Sequence, residues 1–95
     1  MRRVVITGMG AVTPIGNTAP EYWQGLIAGR CGIDKITRFD TADYAVKIAA
    51  EVKGFDYQCC MSKEQARKCD LYTQYAMAAA AEAMEMSGIT ETEPE

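Results

Sequence analysis

The sequence predicts an α/β fold that these residues open but do not complete. Three observations carry that expectation. Val4-Val5-Ile6 is an apolar run without alternation, the pattern of a strand covered on both faces. Two later stretches repeat apolar or small residues between helix-capping and helix-stopping signals, which reads as helices laid against a sheet. Only one other stretch alternates as a strand does. Sheets commonly hold about four to six strands, and two strands cannot sandwich their own central member.

Composition narrows the function classes. A chain of 95 residues makes one small domain or a piece of a larger one, and a core of that size is marginal. Hydrophobic residues at 48% against 24% charged argue against disorder. With 10 basic and 13 acidic residues the net charge is −3, so nothing pulls the chain towards nucleic acid or an anionic membrane. Met1-Arg2-Arg3 is followed by only three apolar residues, too few for a secretory leader, and no run is long enough to insert into a membrane. Cys31, Cys59, Cys60 and Cys69 match no usual zinc spacing, and the sequence contains no histidine to complete a Cys/His site. They read as reduced structural residues of a cytoplasmic protein that calls for no cofactor.

The first strand is expected to be the innermost one. Gly8 and Gly10 remove side chains where a second backbone or a ligand would come close. Thr13-Pro14 and Gly16-Asn17 then end the run in a turn. Thr18 is a helix cap, Pro20 suits the first turn, and Glu21 can reach back to the cap. Tyr22, Trp23, Leu26 and Ile27 fall on one face and Gly29 supplies the stop, so residues 18–28 are predicted helical, with Trp23 as a packing anchor.

Residues 30–44 lose any period and read as a loop with Ile33, Ile36 and Phe39 turned inward. Residues 45–52 alternate, with Val46, Ile48, Ala50 and Val52 on one face, and predict a strand closed by Gly54. Ser62-Lys63-Glu64-Gln65 is a capping box opening a short polar helix over 63–68. Asp70 is placed to cap a longer helix over 71–87, with Gly88 as its stop. That helix holds six alanines between Ala76 and Ala83, so close-packed neighbours, and hence burial, are expected. The acidic stretch 90–95 reads as a loop.

Few motifs carry chemistry. Gly8-Met9-Gly10 lacks the third glycine of a dinucleotide fingerprint, because Thr13 stands in its place with Pro14 behind it. Without histidine no Ser-His or Cys-His arrangement is possible within these residues. Lys63 and Arg67, four apart on one helix face, with Lys68 beside them, form the one charged cluster worth testing. It is either a solvated face steadied by Glu64–Lys68 pairing or a docking patch for an acidic partner.

Taken together, the run from Arg3 through Gly10, then Thr13-Pro14-Ile15-Gly16-Asn17, resembles the start of the β-ketoacyl-acyl-carrier-protein synthases, in particular the type II elongating condensing enzymes of fatty-acid synthesis. Tyr22-Trp23, Gly32-Ile33, Phe39-Asp40-Thr41, Ala66-Arg67-Lys68-Cys69-Asp70 and Gln74-Tyr75-Ala76 follow in the family's order. The resemblance covers nearly the whole chain and makes residues 1–95 the N-terminal part of the first half of the domain. It implies a thiolase-like α/β/α/β/α fold, incomplete here, and a homodimer.

The implied reaction is a decarboxylative condensation. An acyl chain is held on a cysteine and joined to malonyl-acyl-carrier protein, with two histidines and an oxyanion hole assisting. The family's nucleophile sits in Thr-Ala-Cys-Ser, well beyond the matched region, and Cys31, Cys59, Cys60 and Cys69 have no such context. The resemblance therefore implies that this chain alone holds no catalytic residue and is inactive. It also implies that Lys63, Arg67 and Lys68 help to dock the acidic carrier protein. Two other readings stay open: a polyketide ketosynthase or chain-length-factor subunit, and a non-catalytic module that binds carrier protein.

Overall fold

A computed structural model describes residues 2–89, so the acidic loop expected over 90–95 lies outside the described residues. Three α-helices, a 3₁₀ turn and a two-stranded sheet follow in the order α1 (Ala19–Ile27), β1 (Ile33–Lys35), β2 (Ile48–Ala50), the 3₁₀ turn Tyr57–Cys59, α2 (Lys63–Arg67) and α3 (Leu71–Ser87).

The helix signals translate directly into structure. Thr18 caps α1, its hydroxyl oxygen accepting from the Glu21 N–H at 3.2 Å. Gly29 takes the left-handed conformation that terminates the helix, with φ of 69°. In α2 the capping box closes both ways, from Gln65 N–H to Ser62 Oγ at 3.2 Å and from Ser62 N–H to Gln65 Oε1 at 3.0 Å. α3 spans the expected residues and stops at Gly88 in a left-handed cap. Asp70 occupies the N-cap position but its side chain makes no capping bond. Its carbonyl instead accepts from the Gln74 N–H.

The strands depart from expectation. Val4, Val5 and Ile6 form no strand, and Val4 is 95% exposed. A strand needs a neighbour to take its N–H and C=O groups, and no described segment lies beside this run in that geometry. The two strands that do form are β1, in the stretch expected as a loop, and β2, shorter than the expected 45–52. They pair antiparallel, with Asp34 opposite Ala49. Ile33 and Phe39, expected inside, are exposed. Phe39 stacks edge-to-face on Tyr44 at 5.5 Å instead of entering a core.

The two glycines fulfil their reading. A Cβ on Gly8 would meet the Ala83 carbonyl oxygen and lie 2.8 Å from the Ser87 nitrogen. One on Gly10 would meet the Ala79 oxygen and lie 2.6 Å from its carbonyl carbon. Residues 8–11 therefore run backbone against backbone along α3, where alanines leave room. The turn after them is closed by Thr13 and Gly16, whose N–H groups donate to each other's carbonyls at 2.8 and 3.3 Å.

Burial is sparse among the described residues. Met61, 7% exposed, is the buried hydrophobe. α3 is buried at Gln74 alone, contrary to expectation, and Trp23 is 59% exposed instead of anchoring a core. The accessible surface is 7880 Å², whereas a compact monomer of this mass exposes about 5,400 Å². The radius of gyration is 16.6 Å, against about 12 Å for a self-contained domain of this length. The apolar faces of α1, α3 and residues 4–6 are thus present but uncovered.

Candidate functional site

The charged cluster sits on a helix of five residues, too short to persist in isolation, so its neighbours must hold it. Met61 is buried just before the helix, and its N–H donates to the Tyr57 carbonyl at 3.1 Å. At the far end, Gln74 of α3 donates through Nε2 to the carbonyls of Ala66 at 3.2 Å and Cys69 at 3.3 Å. The Ala66 carbonyl lies in the last turn of α2, where it also accepts from the Cys69 N–H at 3.2 Å, and the Cys69 carbonyl follows the cap. Gln74 thus caps α2 from the side and ties it to α3.

This frame presents Lys63, Arg67 and Lys68 to solvent. Lys63 and Arg67 are the first and last residues of α2, and Lys68 is its C-cap. All three are exposed. The ion pair found among the described residues is Arg38–Glu51 at 3.9 Å; the Glu64–Lys68 pair that would satisfy the cluster internally is not formed. The three cations are therefore free to meet an anionic surface.

A second feature lies on the opposite flank of α3. Residues 8–11, α1 and α3 enclose an open groove of about 820 Å³ whose walls are almost wholly apolar, among them Met9, Tyr22, Trp23, Leu26 and Ala79. Glu82 fixes its geometry. The Ala11 N–H donates to this carboxylate at 2.9 Å, and the Ala19 N–H donates to both oxygens at 3.0 and 2.9 Å. A carboxylate at the first residue of α1 satisfies an orphan donor and complements the helix dipole. With Glu82 committed to those bonds, the groove offers packing surface, with the Tyr22 phenol as the titratable group in its wall.

A third knot joins the sheet to α3. Thr37 donates to Glu51 through its N–H at 3.1 Å and its hydroxyl at 2.9 Å. Arg38 donates to the Val52 carbonyl at 3.0 Å and to the Tyr75 hydroxyl oxygen at 2.9 Å. Desolvation pushes the Glu51 carboxyl up, but the Thr37 and Arg38 hydrogen bonds and the Arg38 charge outweigh it and hold the carboxyl below its ordinary range.

No described cysteine has a base beside it. All four are free, with Cys31 and Cys59 exposed. Cys31 Sγ faces the Ile33 carbonyl at 3.9 Å and Cys60 Sγ faces the Tyr57 carbonyl at 3.7 Å. Burial, with the neighbouring Cys59 thiol, pushes the Cys60 thiol up, away from the thiolate a nucleophile needs. No group of three or more metal-ligating side chains occurs among the described residues.

Sequence reading located the three cations but missed Gln74 and Glu82 as the residues that set the geometry. Glu82 had a signal: it is the lone charged residue within the alanine run of α3. Gln74 had none beyond polarity, because its partners are backbone carbonyls of another helix.

Comparison with known proteins places the chain in a family. The family described as β-ketoacyl synthase, N-terminal domain, matches residues 1–95. The 3-oxoacyl-[acyl-carrier-protein] synthase 2 of Vibrio cholerae serotype O1 is 50% identical over 88 residues, covering 93% of this chain and 21% of that protein. The protein of the same name from Staphylococcus aureus strain COL is 51% identical over 83 residues, covering 87% of this chain and 20% of that one. The chain thus spans about a fifth of the length of the curated relatives it matches. Among solved structures, the ishigamide ketosynthase/chain length factor is similar with a TM-score of 0.77 at 40% identity, over 95% of this chain and 22% of that one.

Proposed function

Because the chain belongs to the β-ketoacyl synthase family through its N-terminal domain, we propose that it is the opening segment of a 3-oxoacyl-[acyl-carrier-protein] synthase of fatty-acid biosynthesis. The observation that carries this reading is identity of about half the residues to curated synthases of that name across most of the chain. In this reading residues 1–95 begin the first half of a thiolase-like α/β/α/β/α domain that works as a cytoplasmic homodimer. The remaining layers cover the exposed faces of α1, α3 and residues 4–6.

The chemistry is a decarboxylative Claisen condensation. An enzyme cysteine takes the acyl group from its carrier as a thioester. Malonyl-carrier protein then loses carbon dioxide, and the resulting carbanion attacks the acyl carbonyl and expels the cysteine thiolate. The nucleophile and the histidines belong to the longer protein, since the four cysteines here lack a base and the sequence contains no histidine. What these residues contribute is docking. Lys63, Arg67 and Lys68 meet the acidic carrier protein, and their charges speed the encounter, orient the carrier and add to its affinity.

The test is to incubate the complete protein with acyl- and malonyl-loaded carrier protein and to identify the product by mass. Formation of the 3-oxoacyl product with release of carbon dioxide supports the reading. Its absence with correctly loaded carriers refutes it. The likeness to a ketosynthase/chain length factor structure favours a second reading, a polyketide synthase subunit. A chain length factor would form product only when paired with an active partner subunit. A carrier-binding module without catalysis would bind the carrier but form no product with any partner.

A further inference from the structure

Outside the docking helix and the apolar groove, one cluster of reactive side chains has no part in the proposed function. Cys59 is the last residue of the 3₁₀ turn and Cys60 its cap. Both thiols are free; Cys59 is exposed, and Cys60 is partly exposed with its Sγ 3.7 Å from the Tyr57 carbonyl oxygen. Cys59 and Cys60 are consecutive in the chain, so the backbone holds their two thiols near one another. The chain thus presents two neighbouring sulfur donors at its surface, ahead of the Ser62 cap of α2.

The number and type of donors select the ligand class. Zinc in a structural site wants four ligands, and no third metal-ligating side chain joins this pair among the described residues. A direct disulfide between neighbours is strained, because consecutive Cα atoms stand about 3.8 Å apart, short of the about 4.4 Å lower limit usual for disulfides. A single bridging atom that brings its own third substituent removes that strain by enlarging the ring. A pyramidal trivalent centre also holds its two sulfurs closer together than a linear two-coordinate ion does, which suits side chains on consecutive residues about 3.8 Å apart at Cα.

We propose that Cys59 and Cys60 form a vicinal-dithiol site that captures trivalent arsenic. With an organoarsenic oxide, both S–H bonds and the arsenic–oxygen bond break, two arsenic–sulfur bonds form, and one water leaves. Arsenic stays trivalent, so no oxidant or reductant is consumed. The second bond closes within the chain, and its high effective concentration makes the chelate far more durable than a single thiol adduct. This site stands apart from the condensing-enzyme reading.

The test treats the complete protein with phenylarsine oxide, followed by intact mass and peptide mapping. The adduct is then challenged with excess glutathione and, separately, with a small 1,2-dithiol. The expected result is one phenylarsenic group per chain on the peptide containing Cys59 and Cys60, surviving glutathione and removed by the dithiol. Cys59→Ser and Cys60→Ser each lower retention about 100-fold, while Cys31→Ser and Cys69→Ser leave it unchanged. Two independent single variants keep the outcome readable if one of them unfolds. Stripping of the parent adduct by glutathione, retention in Cys59→Ser and Cys60→Ser as high as in the parent, or labelling at Cys31 or Cys69 overturns the proposal.

Discussion

Replacing Gly10 by alanine tests the packing of residues 8–11 on α3. The added Cβ would lie 2.6 Å from the Ala79 carbonyl carbon and 3.0 Å from its Cα, where ordinary contact begins at 3.4 Å. Both are helix backbone atoms, so no side chain can swing aside. The segment must therefore lift away from α3, by roughly 1 Å, to restore ordinary contact. Overpacking of this kind costs about 1–3 kcal/mol. Lifting also stretches the 2.9 Å bond from the Ala11 N–H to Glu82, and a hydrogen bond to a charged group is worth about 1.5–3 kcal/mol. The two effects share one displacement and do not add fully, so about 3–4 kcal/mol is expected. The assay is denaturant unfolding of the complete protein, with amide exchange at Ala11 as the local readout. Gly29→Ala is the control: it meets nothing within 4 Å, and its cost of about 1 kcal/mol comes from its positive φ alone. A Gly10→Ala variant within about 0.5 kcal/mol of the parent, with Ala11 exchange unchanged, would refute the close-packing account.

Other perturbations probe the remaining contacts. Glu82→Ala leaves the Ala11 and Ala19 N–H groups without their acceptor and should cost about 2–3 kcal/mol; Glu82→Gln, which keeps an acceptor oxygen, should recover about half in the same unfolding measurement. Gln74→Leu removes the donors to the Ala66 and Cys69 carbonyls and should cost about 1–2 kcal/mol, seen as faster amide exchange in α2 with that of α1 unchanged. Glu51 has its carboxyl held below its ordinary range in the folded state. Its contribution is therefore present above the ordinary glutamate pKa and lost as pH falls through the lowered folded value. Protection of the Thr37 amide should follow that fall on acidification, and Glu51→Gln should flatten the profile.

The legible part of this chain was its helices, because their signals are local. Ser62 with Gln65, Thr18 with Glu21, and Gly29 and Gly88 each act within one turn of the residues they organise. Gly8 and Gly10 were legible for a related reason: a missing side chain marks a close approach whatever the partner is, and α3 is that partner. Strands were less legible because pairing is a relation between distant segments. Val4-Val5-Ile6 has every local mark of a central strand yet no neighbour among the described residues, whereas Ile33–Lys35 has no alternation and is a strand only through Ile48–Ala50. Burial failed likewise. Trp23 and the alanines of α3 are composed for a core that residues 2–89 do not supply. At the candidate site, Lys63, Arg67 and Lys68 were visible from spacing and resemblance, while Gln74, which holds their helix in place, acts on backbone atoms that carry no sequence mark.

The claim that falls most squarely on these residues is that α2 docks an acidic carrier protein. The direct measurement is the affinity of the complete protein for malonyl-loaded carrier protein, for the parent and for Arg67→Glu, at low and at high salt. Arg67 is exposed and unpaired by any described residue, so reversing its charge replaces an attraction with a repulsion of about 0.5–1 kcal/mol each. Binding about 5- to 30-fold weaker at low salt is expected, with the gap closing as salt screens the contact. Equal affinity of variant and parent at low salt would contradict it.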